Sequence, residues 1–316
     1  MKTDRSGAKK EAAVKRIGFI GGGNMAEALI RGLLARRLFQ PQQVVVSDID
    51  PKKRRSVARR YGVATVSENL SVASLCDVVV LAVKPQHIDA VLSELERQLK
   101  CAERATEKPR TKAKRAADVG AIGRSSRLRM QAATLFISIA AGIRLAKIEA
   151  ALGPGARVVR VMPNAPAMVG RGMTAVVRGS HASRADEAFA VRLFQAVGEA
   201  VVLRDESLLD AVTALSGSGP AYVYLFVKAL TDAAVGEGLP RELAYRMALA
   251  TVGGAQETMA RTGLAPEELI RIVASPGGTT EAALGRFAAA GFSDIVTSGV
   301  AAAARRSRVL SGERKE

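Results

Sequence analysis

The stretch IGFIGGGNMAEAL, residues 17–29, constrains the fold of this chain more than any other feature. It predicts a short apolar strand, a glycine-rich turn and the start of an amphipathic helix. Gly21, Gly23 and Ala26 form a G-x-G-x-x-A pattern, in which the first glycine permits a tight turn and the second lets a pyrophosphate approach the backbone. The alanine permits close packing of the helix on the strand. The pattern therefore predicts a dinucleotide-binding unit, a structural turn being the alternative.

Apolar strands alternate with helices up to about residue 204. Because each strand is apolar throughout, we predict a parallel sheet covered on both faces, a Rossmann doubly wound fold of the α/β class. The helices are predicted at 52–63, closing at Gly62, and at 87–99. The further strands are predicted within 42–50, 76–86, 134–143, 156–164, 173–179 and 199–203.

From about residue 205 the pattern becomes helical and rich in alanine, with helices predicted within 208–239, 242–263 and 266–274. Several of these helices are apolar nearly all round, which is typical of helices buried between subunits. The second domain is therefore expected to be all-α and to serve dimerisation. The predicted division is a basic tail at 1–16, a Rossmann domain at 17–204 and a helical dimerisation and substrate-binding domain at 205–311.

One segment of the first domain does not fit an α/β connection. About residues 101–131 are basic and far longer than the usual 2–6 residues of such a loop. We interpret them as an insertion. Most of the net charge of +17 lies in residues 1–16, 100–130 and 305–316, which favours solvated basic segments over a polyanion-binding surface.

Composition excludes several other classes of protein. With only two cysteines and two histidines, the chain offers no disulfide framework, no CxxC metal site and no His-based metal site or Ser/His/Asp triad. The absence of tryptophan and the aromatic content of 4% argue against a stacking surface for nucleic acid. The polar, basic N-terminus predicts neither a signal peptide nor a membrane span. We expect a cytoplasmic protein that binds no metal.

The choice of dinucleotide remains open from these residues. Asp48 follows the second strand, where an acid bonds the ribose 2′-hydroxyl of NAD and repels the 2′-phosphate of NADP. The basic residues that come just after it attract such a phosphate, and they are Lys52, Lys53, Arg54 and Arg55. The cofactor is therefore NADH or NADPH, although the fold also serves FAD and S-adenosylmethionine.

SPGGTTEAAL, residues 275–284, interrupts the helical half of the chain. Pro276 prevents a continuous helix, and the pattern predicts that a helix restarts at Glu281. The first N–H groups and the positive end of the dipole of such a helix bind anions. An anion site is one interpretation of this loop, and a simple turn is the other.

Six motifs together carry a resemblance to a known family. GFIGGGNMAEAL, AVKPQ, SIAAGI, RVMPNAPAMVG, DAVTALSGSGPAYVYLF and SPGGTTEAAL occur in the order and spacing of the pyrroline-5-carboxylate reductases. The resemblance covers about residues 17–310 outside the basic insertion. It implies NAD(P)H-dependent reduction of 1-pyrroline-5-carboxylate to L-proline, the last step of proline biosynthesis. It also implies a homodimer whose helical domains interlock, with a decamer formed by further assembly in some members.

The resemblance also assigns residues. The cofactor-binding residues it implies are Ile20, Gly21, Gly22, Gly23, Asn24, Met25, Asp48, Asn69, Ala82, Val83, Lys84, Pro85, Ala140 and Ala141. The substrate-binding residues it implies are Gly277, Gly278, Thr279 and Thr280, with Thr280 also catalytic through a hydroxyl bond to the ring nitrogen. Asn164 is similar to an asparagine near the nicotinamide end. Lys84 has the alternative of being a solvated lysine at a strand end.

Three positions depart from the family pattern, and two rival functions remain. Ala165 replaces a threonine, and Ile49 and Ile272 are apolar where relatives are polar or basic. A β-hydroxyacid dehydrogenase or an imine reductase of that architecture would carry a lysine where this chain has Val223. The second rival is a basic regulatory protein that binds NAD and nucleic acid. It would not account for the SPGGTT and SGSGPAY motifs.

Overall fold

The computed structural model describes residues 16–106 and 134–312 of the chain. The predicted tail and most of the predicted insertion lie outside these residues. The described residues divide into two compact units, one that ends at Leu209 and resumes at Leu310, and one from Asp210 to Val309.

The first unit is built on one eight-stranded sheet with the order β3-β2-β1-β4-β5-β6-β7-β8. The strands are β1 (Ile17–Ile20), β2 (Val44–Ser47), β3 (Ala64–Val66), β4 (Val78–Leu81), β5 (Leu135–Ser138), β6 (Arg157–Met162), β7 (Gly172–Arg178) and β8 (Gly198–Leu203). Along this order, every neighbouring pair from β3 to β6 is parallel. This order reverses at β1/β4, and the predicted Rossmann doubly wound fold is confirmed.

Strand β7 is the exception to the parallel pairing. It runs antiparallel to β6, and β8 then pairs with β7 in parallel. The connection between β6 and β7 holds only a short 3₁₀ helix, Ala165–Val169, whereas a parallel crossover needs a dozen or more residues. The sheet is therefore mostly parallel and not wholly so.

The helices of the first unit cover the sheet and enclose its core. They are α1 (Asn24–Ala35), α2 (Pro51–Tyr61), α3 (Asn69–Leu75), α4 (Ile88–Thr106), α5 (Leu145–Leu152), α6 (Arg184–Gln195) and the first residues of α7 (Leu208–Val212). Phe19 of β1, Leu29 of α1 and Phe194 of α6 are fully buried within one apolar cluster. Helix α4 extends to Thr106, beyond the residue 99 predicted for its end.

The second unit is helical, as predicted. After α7 and a π-helical turn at Thr213–Gly217, its helices are α8 (Gly219–Gly236), α9 (Arg241–Thr262), α10 (Pro266–Val273), α11 (Thr279–Ala289) and α12 (Phe292–Leu310). Helix α11 begins at Thr279, so the predicted restart at Glu281 is wrong by two residues. Both threonines of the loop therefore belong to the first turn of a helix.

Within residues 16–106 and 134–312, no single helix is long and apolar enough to cross a membrane. Helices α11 and α12 meet the length and composition of a span only as a pair, with a bend of 51° between them. Among the same residues, no group of three His, Cys, Asp or Glu side chains is placed to hold a metal ion.

Candidate active site

The register of the sheet brings most of the predicted cofactor residues to one edge. Ile20, the last residue of β1, pairs with Ser47 on one side and with Leu81 on the other. Leu81 in turn pairs with Ser138 at the end of β5. The four segments that follow these strands therefore emerge side by side, and they are Gly21–Gly23, Asp48–Asp50, Ala82–Pro85 and Ile139–Ala141.

The glycine turn after β1 is held by backbone contacts that only glycine permits. Gly21 has φ of +101°, and a Cβ atom there would lie 2.8 Å from the carbonyl oxygen of Ala82. Its N–H donates to the carbonyl oxygen of Ser47 at 2.8 Å. Gly21 thus joins the ends of β1, β2 and β4 in one tight turn, the role that the glycine pattern predicts for this position.

The next residues form the N-terminus of helix α1. Gly23 is the N-cap of α1 and provides no side-chain hydrogen bond to the first turn. A Cβ atom on Gly23 would meet nothing within 4 Å, so the helix N-terminus has free space in front of it. The first N–H groups of α1 and the positive end of its dipole face that space, which fits the pyrophosphate of a dinucleotide.

Asp48 lies against the glycine turn. Its Oδ2 accepts a hydrogen bond from the N–H of Gly22 at 2.9 Å, and its Oδ1 accepts one from the N–H of Asp50, also at 2.9 Å. The side chain is only 10% exposed. Asp48 therefore fixes the loop between β2 and α2 to the glycine turn, an arrangement that its position in the sequence does not reveal.

Asn69 is linked to the same edge through a polar chain. Its Oδ1 accepts from the hydroxyl of the buried Ser47 at 2.8 Å, and its Nδ2 donates to Oε2 of Glu94 at 2.8 Å. Ser47 and Glu94 were not predicted as site residues. In the sequence, the one signal for such a series of hydrogen bonds is a serine that ends an otherwise apolar strand.

The segments that follow β4 and β5 differ in how deeply they are buried. Ala140 is buried and its N–H donates to the hydroxyl of Ser138 at 3.3 Å, whereas Ala82 and Val83 are half-buried. Lys84 is exposed and begins the 3₁₀ helix Pro85–His87 as its N-cap. Asn164, at the end of β6, accepts at Oδ1 from the N–H of Met173 at 2.9 Å.

In the helical unit, the SPGG loop folds back on itself before helix α11. Gly277 has φ of +72°, a left-handed conformation that favours glycine. The N–H of Gly278 donates to the carbonyl oxygen of Ser275 at 3.0 Å, and the N–H of Gly277 donates to Oε2 of Glu281 at 2.7 Å. Glu281, in the first turn of α11, is a polar contact that sequence analysis missed.

The N-terminus of α11 resembles that of α1 in its cap. Gly278 is the N-cap and supplies no side-chain hydrogen bond. Thr279 and Thr280 occupy the first two helical positions, whose N–H groups have no acceptor within the helix. Thr280 is half-buried and Thr279 is exposed. The predicted substrate residues are thus brought together, and they form a helix N-terminus able to hold an anion.

The SGSGPAY motif, residues 216–222, begins in the last two residues of the π-helical turn at Thr213–Gly217 and continues into α8. The Ser218 N–H donates to the carbonyl oxygen of Thr213 at 2.8 Å, and the Tyr222 hydroxyl donates to the carbonyl oxygen of Ala214 at 3.0 Å. Such turns occur frequently at functional sites. Here the motif's serine and tyrosine stabilise the start of α8.

Two family models match this chain, one on each unit. Residues 16–102 match a family described as NADP oxidoreductase coenzyme F420-dependent, and residues 206–310 match pyrroline-5-carboxylate reductase dimerisation. The helical unit therefore carries the features of a dimerisation domain.

Similar proteins cover nearly the whole chain. A pyrroline-5-carboxylate reductase from Pseudomonas aeruginosa is 40% identical over 94% of this chain and 97% of its own length. The enzyme of that name from Arabidopsis thaliana is 37% identical over 94% of this chain and 95% of its own.

Solved structures agree with these relatives. A pyrroline-5-carboxylate reductase from Coxiella burnetii superposes with a TM-score of 0.78 at 33% identity, covering 94% of this chain and 98% of that one. The Plasmodium falciparum pyrroline carboxylate reductase with NADP bound gives 0.75 at 28% identity, with the same coverage. The chain is an oxidoreductase, and it belongs to the pyrroline-5-carboxylate reductase family.

Proposed function

We propose that this chain reduces 1-pyrroline-5-carboxylate to L-proline with NADH or NADPH, the last step of proline biosynthesis. The observation that carries the proposal is the pair of glycine-capped helix N-termini, one in each unit. Gly23 precedes α1 beside the strand ends, and Gly278 precedes α11 beside two threonines. A dinucleotide and a carboxylate-bearing imine are both anionic, and each needs such a place.

We assign the dinucleotide to the edge of the Rossmann unit. When bound, it supplies the hydride. The N-terminus of α1 holds the pyrophosphate, with Ile20 to Met25 along it, while Asp48 and Asn69 face the ribose of the adenosine. Ala82, Val83, Lys84 and Pro85 line the path toward the nicotinamide, together with Ala140 and Ala141. The space in front of Gly23 and the common strand register support this assignment.

We assign the substrate to the start of α11. The N–H groups of Thr279 and Thr280 bind the carboxylate, and Gly277 and Gly278 shape the loop so that an anion can approach them. Gly278 helps because it places no side chain over these donors. The charge of the carboxylate is stabilised by the positive end of the α11 dipole. Binding of one fixed group then orients the ring for hydride transfer.

The chemistry at the ring requires little more. A cyclic imine accepts hydride at carbon most readily when its nitrogen is protonated, and the product is the ring amine. Thr280 is the proposed catalytic residue, because its hydroxyl bonds the ring nitrogen and holds that end of the C=N bond in place. No strong acid is needed for a substrate that arrives protonated. The protein contributes orientation and exclusion of water.

We further propose that the chain acts as a homodimer in the cytoplasm, with a decamer built from such dimers as the alternative. The helical unit exposes many large apolar side chains on α8 and α9, including Leu225 at 66% and Tyr245 at 53%. Such a surface is typical of a subunit interface. The buried free thiol of Cys76 fits a reducing compartment. Light scattering on the purified protein distinguishes the monomer, the dimer and the decamer.

The deciding experiment is turnover of 1-pyrroline-5-carboxylate, followed separately with NADH and NADPH. Thr280→Ala should lower kcat/KM by about 10²-fold, the order of a lost proton-positioning group. Thr280→Ser should keep most of the activity because it retains the hydroxyl. Thr258→Ala is the matched control, since the Thr258 hydroxyl donates to the carbonyl oxygen of Gly254 in its own helix.

The same assay can contradict the proposal in two ways. Absence of turnover with either dinucleotide would exclude this substrate. Full activity in Thr280→Ala would leave the substrate in place but remove Thr280 from the mechanism.

A further inference from the structure

The loop between β2 and α2, residues 48–50, lies with the first turn of α2 where the adenosine ribose of a dinucleotide is expected. NADH and NADPH differ only there, by a 2′-hydroxyl or a 2′-phosphate. The hydroxyl requires an acceptor, and the phosphate requires positive charge or free N–H donors. The contacts of this loop can therefore distinguish between the two. The inference drawn from them rests on the proposed function.

Two carboxylates already accept hydrogen bonds from backbone N–H groups in and beside this loop. Asp48 accepts from the N–H groups of Gly22 and Asp50, each at 2.9 Å. Asp50 caps α2 and accepts from the N–H of Lys52 at 2.8 Å. Pro51, the first residue of α2, has no N–H at all. The N-terminus of α2 is thus a poor site for a third anion, despite its dipole.

The basic side chains nearest to Asp48 are also turned toward the loop. The guanidinium of Arg54 donates to the carbonyl oxygens of Asp48 at 2.6 Å and of Ile49 at 3.2 Å. The Nζ atom of Lys53 lies 3.9 Å from Oδ2 of Asp48. Their charges therefore serve to hold the loop and to offset the Asp48 carboxylate.

Between the two acids, the loop presents an apolar residue. The side chain of Ile49 is 88% exposed and offers no hydrogen bond to a phosphate. A carboxylate at Asp48 can still accept a hydrogen bond from a ribose hydroxyl, because an ionised carboxylate has about four acceptor positions and two are used here. A 2′-phosphate at the same place would meet a like charge that is only 10% exposed.

We propose that the β2–α2 loop selects NADH over NADPH, with Asp48 as the residue that decides between them and Ile49 as the residue that withholds a phosphate contact. Lys52 and Arg55 are exposed and are the remaining source of attraction for a phosphate. They belong to the first turns of α2, where Asp50 already accepts from the N–H of Lys52, whereas Asp48 lies against the glycine turn itself.

The test is direct binding to the full chain without substrate, followed by nicotinamide fluorescence for NADH and NADPH. The wild type should bind NADH at least about tenfold more tightly, since this ratio corresponds to a modest charge repulsion at a partly screened site. Asp48→Ser combined with Ile49→Arg should reverse the preference. Asp89→Asn removes one exposed acid of the same unit and should leave the ratio unchanged.

Asp48 also accepts a hydrogen bond from the glycine turn, so replacing it affects folding as well as binding. A second measurement therefore uses the wild type alone. Calorimetric titration of the wild type with adenosine 5′-monophosphate and with adenosine 2′,5′-bisphosphate compares the ribose end alone. Tighter binding of the monophosphate supports the proposal. Equal or tighter binding of the bisphosphate, or of NADPH over NADH, overturns it.

Failure of this inference and failure of the proposed function give different results. A chain that prefers NADH in the binding assay but does not turn over 1-pyrroline-5-carboxylate would retain the inference and lose the function. A chain that turns over the substrate but prefers NADPH would retain the function and lose the inference.

Discussion

Replacing Gly21 with alanine tests how the glycine turn is built. At φ of +101° an L-residue is strained, by about 1–2 kcal/mol for the left-handed region. The new Cβ would also lie 2.8 Å from the carbonyl oxygen of Ala82 and 2.9 Å from the nitrogen of Val83, both backbone atoms that cannot rotate away. Moving them costs about 1–3 kcal/mol, the usual range for overpacking.

Together these contributions predict a loss of roughly 2–5 kcal/mol in the free energy of unfolding. For a unit of this size, each kcal/mol lowers Tm by about 2–4 °C. Gly21→Ala should therefore melt about 10 °C below the wild type when thermal unfolding is followed by circular dichroism. NADH should bind weakly even below the melting temperature, because the displaced turn carries the first residues of α1.

Gly23→Ala is the matched control, two residues along the same turn. Gly23 has an ordinary extended backbone, with φ of −81° and ψ of 179°, and its Cβ would meet nothing within 4 Å. The variant should unfold within about 1 kcal/mol of the wild type, since the Cβ meets no clash and the poorer N-cap costs at most about that much. The same Cβ enters the space proposed for the pyrophosphate, so the Kd for NADH should rise at least about tenfold.

The two variants separate folding from binding. If Gly21→Ala melts together with the wild type, the strain and the contact with Ala82 do not control this turn. If Gly23→Ala is as unstable as Gly21→Ala, the space in front of α1 is not open. Unchanged NADH binding in Gly23→Ala would remove the pyrophosphate from the N-terminus of α1.

Three further variants test other contacts. Glu281→Gln keeps an acceptor for the Gly277 N–H but removes a negative charge beside the proposed carboxylate site, so KM for the substrate should fall about two- to fivefold, and an increase would contradict this. Asp186 is buried, and although burial alone would raise its pKa, hydrogen bonds from Arg157 and Ser183 hold that pKa below its usual range. Its stabilisation is therefore present above about pH 4 and is lost as the pH falls through the lowered pKa. Urea unfolding should find Asp186→Asn less stable by about 3 kcal/mol at pH 7 and should find the difference shrinking in acid. Burial raises the pKa of the Cys76 thiol to about 12, so in a Cys101→Ser background the native protein should resist alkylation at pH 8, and rapid labelling would contradict this burial.

Three of the strands that the sequence predicts are buried on both faces. Val44–Ser47, Val78–Leu81 and Leu135–Ser138 are continuous apolar runs, and every residue in them is buried. Strand Ala64–Val66 was not predicted, because it has three residues at the edge of the sheet and none of them is buried. Burial on two faces leaves a continuous apolar run in the sequence, and the three residues of this edge strand do not. The other edge strand, β8, was predicted from its apolar residues although none of them is buried.

The direction of β7 and the start of α11 were not predicted from the sequence, for two different reasons. An apolar strand reads the same in either direction, so the antiparallel pairing of β7 with β6 depends on the length of the connection. The restart of α11 was predicted at Glu281, and the weak helix propensity of threonine gives no signal for an earlier start. The loop at Gly277 and Gly278 sets the start at Thr279, and tertiary geometry overrides propensity there.

Single positions of the site were predictable, but their partners were not. Gly21, Gly23 and Asp48 follow from a pattern along the chain. The hydrogen bond between Asp48 and Gly22 joins residues 26 positions apart, and it exists because Ser47 and Ile20 end their strands in register. The chain from Ser47 through Asn69 to Glu94 depends on the same register.

The contacts of the glycine turn determine which donors remain for an anion. Gly21 donates to Ser47 and Gly22 donates to Asp48, so the first two N–H groups of the turn hold the protein together. The donors left for a pyrophosphate are those that follow, at the start of α1. Gly278 repeats this arrangement before α11, since its own N–H is taken by Ser275.

At both helices a glycine N-cap leaves the first-turn donors uncovered, where a serine or an aspartate would have satisfied one of them. The chain uses such side-chain caps elsewhere, at Asp50 and at Ser183. A serine at position 23 or 278 would add a local cap and place an oxygen in front of the donors. The absence of that oxygen at both positions fits the two anionic ligands that we propose.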